Sequence, residues 1–218
     1  MIVRNRMDRA DISEQAQKEF DEALQNPDSM FYILKLDGNL IGFFRVDSMS
    51  ESDAYLGSLN VPPEVQGAGI GDEILRRFFI HALNGRVGHA TADPRNRVTP
   101  KYIGRYNFVG SGIKPFGDSG RNFIEMTLNP QINNSLKLFS LRDEQIAQMH
   151  QGNSYDLSGD SQIILRFPSA KLEAIMEEAQ TILANNRFVM SAFRRRIEDQ
   201  QEIIYMGFEL NPLTRDNG

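Results

Sequence analysis

The chain has 218 residues, 40% of them hydrophobic and 24% charged, and its 24 basic and 29 acidic side chains leave a net charge of −5. That length and apolar content suit a globular chain that builds its own core, and the negative balance argues against bulk nucleic-acid binding. The absence of cysteine excludes disulfides, zinc–thiolate centres and a cysteine nucleophile.

No apolar run approaches the roughly 20 residues that span a bilayer, and the N-terminal Met1 to Asp8 lacks the apolar core of a signal peptide. A soluble, cytoplasmic protein with neither membrane nor nucleic-acid partners is expected. His81, His89 and His150 show no metal-ligand spacing, so no metal site is expected. Residues 8–28 are rich in Asp and Glu, while Arg187 and Arg194-Arg195-Arg196 form a basic cluster. Both read first as solvated faces.

In chain order, residues 2–6 suit a short strand. Asp11 reads as an N-cap, with Glu14 three residues on, for a polar helix ending near Gln25. Asn26-Pro27-Asp28 breaks it. Apolar, β-prone runs over 30–36 and 39–46 flank Asp37-Gly38, the signal of a tight hairpin. A strand is expected over 55–61, then Pro62-Pro63 and a glycine-rich loop. Ile70, Ile74, Leu75, Phe78, Phe79, Ala82 and Leu83 recur at helical spacing, and Asn84-Gly85 ends that helix. Residues 87–92 read as a strand, 98–106 as a helix and 123–128 as a strand; Asn129-Pro130 marks a boundary.

Beyond it, residues 141–151 suit a helix and 162–167 a strand. Ser169 is placed to cap an amphipathic helix with Leu172, Ile175, Met176, Ala179, Ile182 and Leu183 on one face. Residues 188–193 and 203–210 form a hairpin around Glu198 to Gln201. The order strand–helix–strand–strand repeats that of residues 2–46, which suggests a degenerate half-repeat; the alternative is an unrelated extension. Two domains are expected, 1–130 and 131–218.

The segment Gln66-Gly67-Ala68-Gly69-Ile70-Gly71 comes after a strand and opens a helix. The free N–H groups and dipole of a helix start attract an anion, and glycines let the backbone approach it closely. This is a phosphate cradle. A P-loop would require Gly-Lys-Ser/Thr, but Asp72 and Glu73 stand after Gly71; a Rossmann fingerprint would require glycine where Asp72 stands.

The spacing that fits is Gln/Arg-x-x-Gly-x-Gly/Ala. With the preceding Leu59 to Val65 and the apolar helix after it, the run resembles the signature of the GNAT family of acyltransferases. The resemblance implies an α/β (α+β) fold: a mixed, mostly antiparallel twisted sheet flanked by helices. Here a smaller β-α-β-β C-terminal unit is appended. It implies acetyl-CoA or another acyl-CoA as cofactor, with its pantetheine along Leu59, Asn60 and Val61 and its pyrophosphate on Gln66, Gly67, Ala68, Gly69, Ile70, Gly71 and Asp72.

A second family motif matches through Asn96 and Phe108. Thr99 replaces its alanine, Asn107 its glycine and Ile103 its tyrosine. In relatives that tyrosine protonates the departing thiolate; Tyr102 and Tyr106 flank the place and are the candidates here. Acyl transfer to an amine also requires proton removal. The family's usual strand glutamate falls at Tyr55, which leaves Asp53 as the tentative base and His89 as a further candidate.

The reaction implied is transfer of an acetyl group to a primary amine of a small molecule or protein. The acidic stretch at 8–28 hints at a cationic acceptor. Loss of catalysis is the alternative, giving an acyl-CoA-binding protein that acts as an interaction or dimerisation module, and a homodimer is among the partners considered.

Overall fold

The structure, a computed structural model, describes residues 21–22, 24–96, 99–116, 120–129, 155–156, 162–184 and 187–213. The fold is mixed α/β and dominated by antiparallel strands. Two compact units divide between His89 and Ala90, whereas the domains expected from the sequence divide at residue 130. The expected strand at 2–6, the cap at Asp11 and the helix at 141–151 lie outside the described residues.

The N-terminal unit contains β1 (Ser29–Leu36), β2 (Asn39–Ser48) and β3 (Asp53–Asn60), with α1 (Ile70–Arg77) after the loop. The β1–β2 hairpin turns at Asp37 and Gly38, with φ of 51° and 83°. Two successive left-handed residues give the turn that matches strand twist. One face of β2 and β3 presents Phe44, Val46, Ala54 and Leu56 to the core, where Ile74, Leu75, Phe78, Ala82 and Leu83 are also buried. Tyr32 stacks on Phe44 at 4.6 Å, and Phe44 meets the Phe78 ring edge-on at 6.4 Å. A side chain at Gly42 would come within 3.0 Å of Ile74 Cδ1, so glycine there permits the close approach of α1 to β2.

The expected long helix changes character midway. Phe78–Leu83 form a π-helical turn, closed by left-handed Asn84 at φ 44° and ψ 46°. β4 (Val87–Ala92) comes next, in its expected place.

The C-terminal unit adds α2 (Thr99–Arg105), β5 (Val109–Phe116), β6 (Arg121–Leu128), β7 (Tyr155–Asp156), β8 (Gln162–Pro168), α3 (Leu172–Leu183), β9 (Phe188–Glu198) and β10 (Gln201–Leu210). Its strand order is β6-β5-β9-β10-β8-β7. β10 lies between β9 and β8, antiparallel to both. Gly110 pairs with Met190, and a side chain on it would meet Met190 Cβ at 2.8 Å. Thus glycine permits the β5–β9 junction.

Ser169 does not act as a side-chain cap. It begins a 3₁₀ turn, Ser169–Lys171, without a side-chain cap hydrogen bond. Leu172, Met176, Ala179 and Leu183 are nevertheless buried as their spacing requires. A polar cluster joins β8, β9 and β10: Arg166 pairs with Glu198 at 2.6 Å, and the buried Tyr205 hydroxyl donates to Glu198.

Candidate functional site

β3 delivers the chain to a 3₁₀ turn, Pro63–Val65. The Gln66 side chain then folds back, its Nε2 donating to the Val61 carbonyl at 3.0 Å. The Gln66 amide donates to the Pro63 carbonyl at 3.2 Å and the Ala68 amide to that of Val65 at 3.3 Å. These bonds pin the loop at its near end.

At the far end Gly67 and Gly69 have φ of 87° and 80°, a region that side chains strongly disfavour. Gly69 is the N-cap of α1 and makes no side-chain cap hydrogen bond. Its carbonyl accepts the first helical bond, from Glu73 at 3.1 Å. Helix geometry leaves the amides of Ile70 and Gly71 without acceptors inside the helix.

A Cβ built on Gly67, Gly69 or Gly71 would meet nothing within 4 Å. The loop is therefore an exposed backbone cradle with room over its glycines, which suits a pyrophosphate. The nearby acid Glu73 is already neutralised. Arg76 donates to it from Nε at 2.7 Å and Arg77 at 2.6 Å, and these bonds bring its carboxyl down to about 2.

The strand leading to the loop carries a bulge. Arg45 pairs with Ser58 but Val46 pairs with Leu56, so Gly57 is the extra residue. The Arg45 side chain lies across it, and a Cβ on Gly57 would fall 2.5 Å from Arg45 Nε. Arg45 is held there by Asp47 at 3.0 Å, which in turn accepts from Ser29 Oγ at 2.6 Å. Bulges disrupt the local ladder and re-aim side chains, which is of use beside a bound ligand.

Asp53, at the start of β3, accepts from Ser50 Oγ at 2.7 Å and from Ser52 Oγ at 2.5 Å, and pairs with His89 Nε2 at 2.9 Å. The Ser52, His89 and Ser50 bonds hold its carboxyl well below the usual aspartate range. Such a carboxylate is a weak proton acceptor but a good orienting group. An ionised carboxylate only accepts, so the Asp53 contact places a proton on Nε2; in a neutral ring Nδ1 is then the acceptor. The pairing joins positions 36 residues apart, and neither residue's neighbours in sequence announce it.

In the C-terminal unit the Asn96 amide donates to the Asp93 carbonyl at 2.9 Å, and the Asn96 carbonyl accepts from Thr99 at 3.1 Å. Thr99 is fully buried and its Oγ1 donates to the Asp93 carbonyl at 2.6 Å. Ile103 is also fully buried. Tyr102 is 8% exposed and meets the Phe108 ring edge-on at 5.6 Å. Burial, with a smaller contribution from Tyr106, pushes its hydroxyl up to about 12. Tyr106 is half-buried, with the Arg105 guanidinium 5.7 Å from its ring centre. Asn107 takes φ of 60°, the left-handed conformation that glycine would otherwise supply.

Residues 3–102 match the model of the acetyltransferase (GNAT) family. The match to that acetyltransferase family covers a little under half of the chain. Solved structures similar to it include a GNAT acetyltransferase from Desulfovibrio desulfuricans, 22% identical over 53% of this chain and 79% of its own, with TM-score 0.44. A GNAT acetyltransferase from Elizabethkingia anophelis with acetyl-CoA bound is 16% identical over 53% of this chain and 84% of its own, with TM-score 0.44. The ribosomal-protein-S18-alanine N-acetyltransferase from Escherichia coli is 21% identical over 51% of this chain and 75% of its own, again with TM-score 0.44. No curated protein matches.

Among the described residues no group of three His, Asp or Glu side chains could hold a metal, and no helix is long and apolar enough to cross a membrane.

Proposed function

We propose that this GNAT domain is an N-acyltransferase that moves an acetyl group from acetyl-CoA to a primary amine. The observation that carries the reading is the loop from Gln66 to Gly71, with left-handed Gly67 and Gly69 and open space over its glycines. Acetyl-CoA supplies the activated acyl group when bound.

In this reading backbone amides of Gln66, Gly67, Ala68, Gly69, Ile70, Gly71 and Asp72 hold the pyrophosphate. The backbone of Leu59, Asn60 and Val61 pairs with the pantetheine amides as an added strand would. On the C-terminal unit, Asn96 and Tyr102 are assigned from the second family motif alone. His89 takes the ammonium proton of the acceptor on Nδ1, directly or through water, and Asp53 orients the ring through Nε2. Asp53 thus serves as a positioning residue in preference to a base. Tyr102 or Tyr106 returns a proton to the thiolate; the upward shift of Tyr102 keeps that hydroxyl protonated at neutral pH.

Residues 1–130 form the acyl-CoA domain in this reading, and 131–218 an extension with a β-α-β-β order. A cytoplasmic location, a cationic acceptor and a homodimer belong to the same proposal.

A second reading is favoured by the fully buried Ile103 in the usual tyrosine place and by the packing of Tyr102 on Phe108. It makes the chain an acyl-CoA-binding protein without turnover, an interaction or dimerisation module.

Thermal unfolding with acetyl-CoA tests the shared part of both readings. At about 100 times its Kd the ligand stabilises by about 2.7 kcal/mol, a Tm rise on the order of 5–10 °C. Gly69→Glu sets a carboxylate and an unfavourable φ where the pyrophosphate would lie, and should abolish that rise while the variant still unfolds cooperatively. An equal rise in both proteins would remove the loop from the site. Release of CoA with a panel of primary amines then separates enzyme from binding module.

A further inference from the structure

Arg45 has no part in the acyl-transfer reading, yet three strands are arranged around its side chain. β2 carries it, β1 contributes Ser29 and β3 contributes Gly57. Asp47 pairs with Arg45 at 3.0 Å and accepts from Ser29 Oγ at 2.6 Å. The two charges answer one another, so the guanidinium is a group held in place and not a free anion site.

The residue at 57 is glycine because of this guanidinium. Gly57 is not among the glycines with positive φ, so its backbone would admit other residues. A Cβ there would fall 2.5 Å from Arg45 Nε, 2.6 Å from Nη2 and 2.8 Å from Cζ. The guanidinium thus occupies the space of the missing side chain. Its Nε is buried and, among the described residues, meets no acceptor. An unpaired buried donor costs stability, so hydrogen bonding at Nε does not explain why the group lies there. Covering the extra residue of the bulge does.

That extra residue has a consequence further along β3. In an antiparallel pair, successive residues point their N–H and C=O groups alternately toward the partner strand and away from it. Before the bulge Leu56 pairs with Val46; after it Ser58 pairs with Arg45, and Leu59 with Phe44. One inserted residue exchanges the alternation. The place of the bulge therefore decides which of Leu59, Asn60 and Val61 turn their backbone groups away from β2.

We propose that Arg45 is a positioning residue for the acyl-CoA arm: seated over Gly57, it fixes the bulge and so sets the backbone groups that the pantetheine meets. The inference rests on the acyl-CoA reading of β3 and the glycine loop.

Calorimetric titration of the full chain with acetyl-CoA tests it. ADP serves as a competitor that carries the pyrophosphate without the pantetheine. The variants are Arg45→Ala, Gly57→Ala and the two combined. Each single variant should weaken acetyl-CoA binding about tenfold, with the inhibition constant of ADP within about twofold of the parent. Both substitutions remove the same contact, so the double variant should again lose about tenfold, whereas independent effects would multiply to about a hundredfold.

A contact that serves only stability would lower the Tm of the ligand-free variants and leave the Kd of acetyl-CoA within about twofold of the parent; that result would overturn the proposal. So would equal weakening of acetyl-CoA and ADP, which would place the effect in the glycine loop, or a multiplied loss in the double variant. A parent that binds no acetyl-CoA, or a Gly69→Glu variant that binds it equally well, would instead overturn the acyl-CoA reading and the inference with it.

Discussion

The two units use the same hairpin chemistry and then part ways. The N-terminal hairpin turns on Asp37 and Gly38, at φ of 51° and 83°; the C-terminal hairpin turns on Asp199 and Gln200, at 47° and 67°. After its hairpin the first unit continues into β3, the glycine loop and α1. The second reaches Asn211, whose amide returns to the Arg187 carbonyl at 2.7 Å. A hairpin alone thus supplies no anion site. In the proposed reading the anion site comes from the segment after the hairpin: a strand that stops, glycines that turn left-handed and a helix start with open space over it.

Polar groups divide in the same way. The N-terminal unit has side-chain pairs of its own, such as Asp53 with His89 at 2.9 Å, but also presents backbone amides in an exposed loop. The C-terminal unit commits side chains to one another, as in Arg166, Glu198 and Tyr205, or Arg95 with Asp93 at 2.7 Å and Glu173 at 2.6 Å.

The largest expected effect lies in the N-terminal unit. His89→Ala should lower kcat about 10²–10⁴-fold, the usual weight of a general base, with little change in the acetyl-CoA-induced Tm rise. Asp53→Asn should lower kcat less, because the imidazole remains. Equal acetyl-CoA stabilisation with unchanged kcat in His89→Ala would remove the dyad from the chemistry.

Next is Tyr102→Phe in the C-terminal unit. The edge contact with Phe108 survives, so stability should hold, whereas a proton donor to the thiolate would cost more than about tenfold in kcat. A smaller loss would leave Tyr102 as a packing residue and shift the acid role to Tyr106 or water.

Most of the elements were legible in the sequence because each obeys one period. β2 is an unbroken apolar, β-prone run, α1 recurs at helical spacing, and the residues named for the core of the helix at 172–183 include its four buried ones. The loop was legible because its glycines are consecutive in the chain with the helix they open.

β5 was not. Gly110, Gly112 and Pro115 dilute its strand signal, and the reason for Gly110 is Met190, eighty positions away. The π turn at 78–83 escaped because its apolar residues recur much as they do in an α-helix. The bulge at Gly57 and the Asp53–His89 pair are relations between strands, which no local pattern encodes.

The polar cluster of the C-terminal unit gives the third effect. Tyr205→Phe removes a buried hydroxyl that donates to Glu198 and accepts from Arg166 Nε at 3.2 Å. The pair keeps its 2.6 Å bond but loses the bridging group, a cost of about 1–3 kcal/mol. Urea unfolding should show that loss, with acetyl-CoA affinity unaltered if the cluster serves only the fold of its own unit. Weaker affinity would show that the two units are coupled energetically.

The smallest effect is the sharpest test of the hairpin comparison. Gln200 is exposed and left-handed at φ 67°, where a side chain is strained by about 1–2 kcal/mol relative to glycine. Glycine also widens the unfolded ensemble, which takes back about 0.5–1 kcal/mol. Gln200→Gly should therefore stabilise by about 0.5–1 kcal/mol, a Tm rise of about 1–4 °C, and Gly38→Gln should destabilise by a similar amount. Packing does not intervene at either position, since Gln200 is exposed and a Cβ on Gly38 would meet nothing within 4 Å. If the two substitutions shift stability in opposite directions by like amounts, the hairpins are equivalent in backbone terms, and the difference between the units begins with the glycine loop after β3.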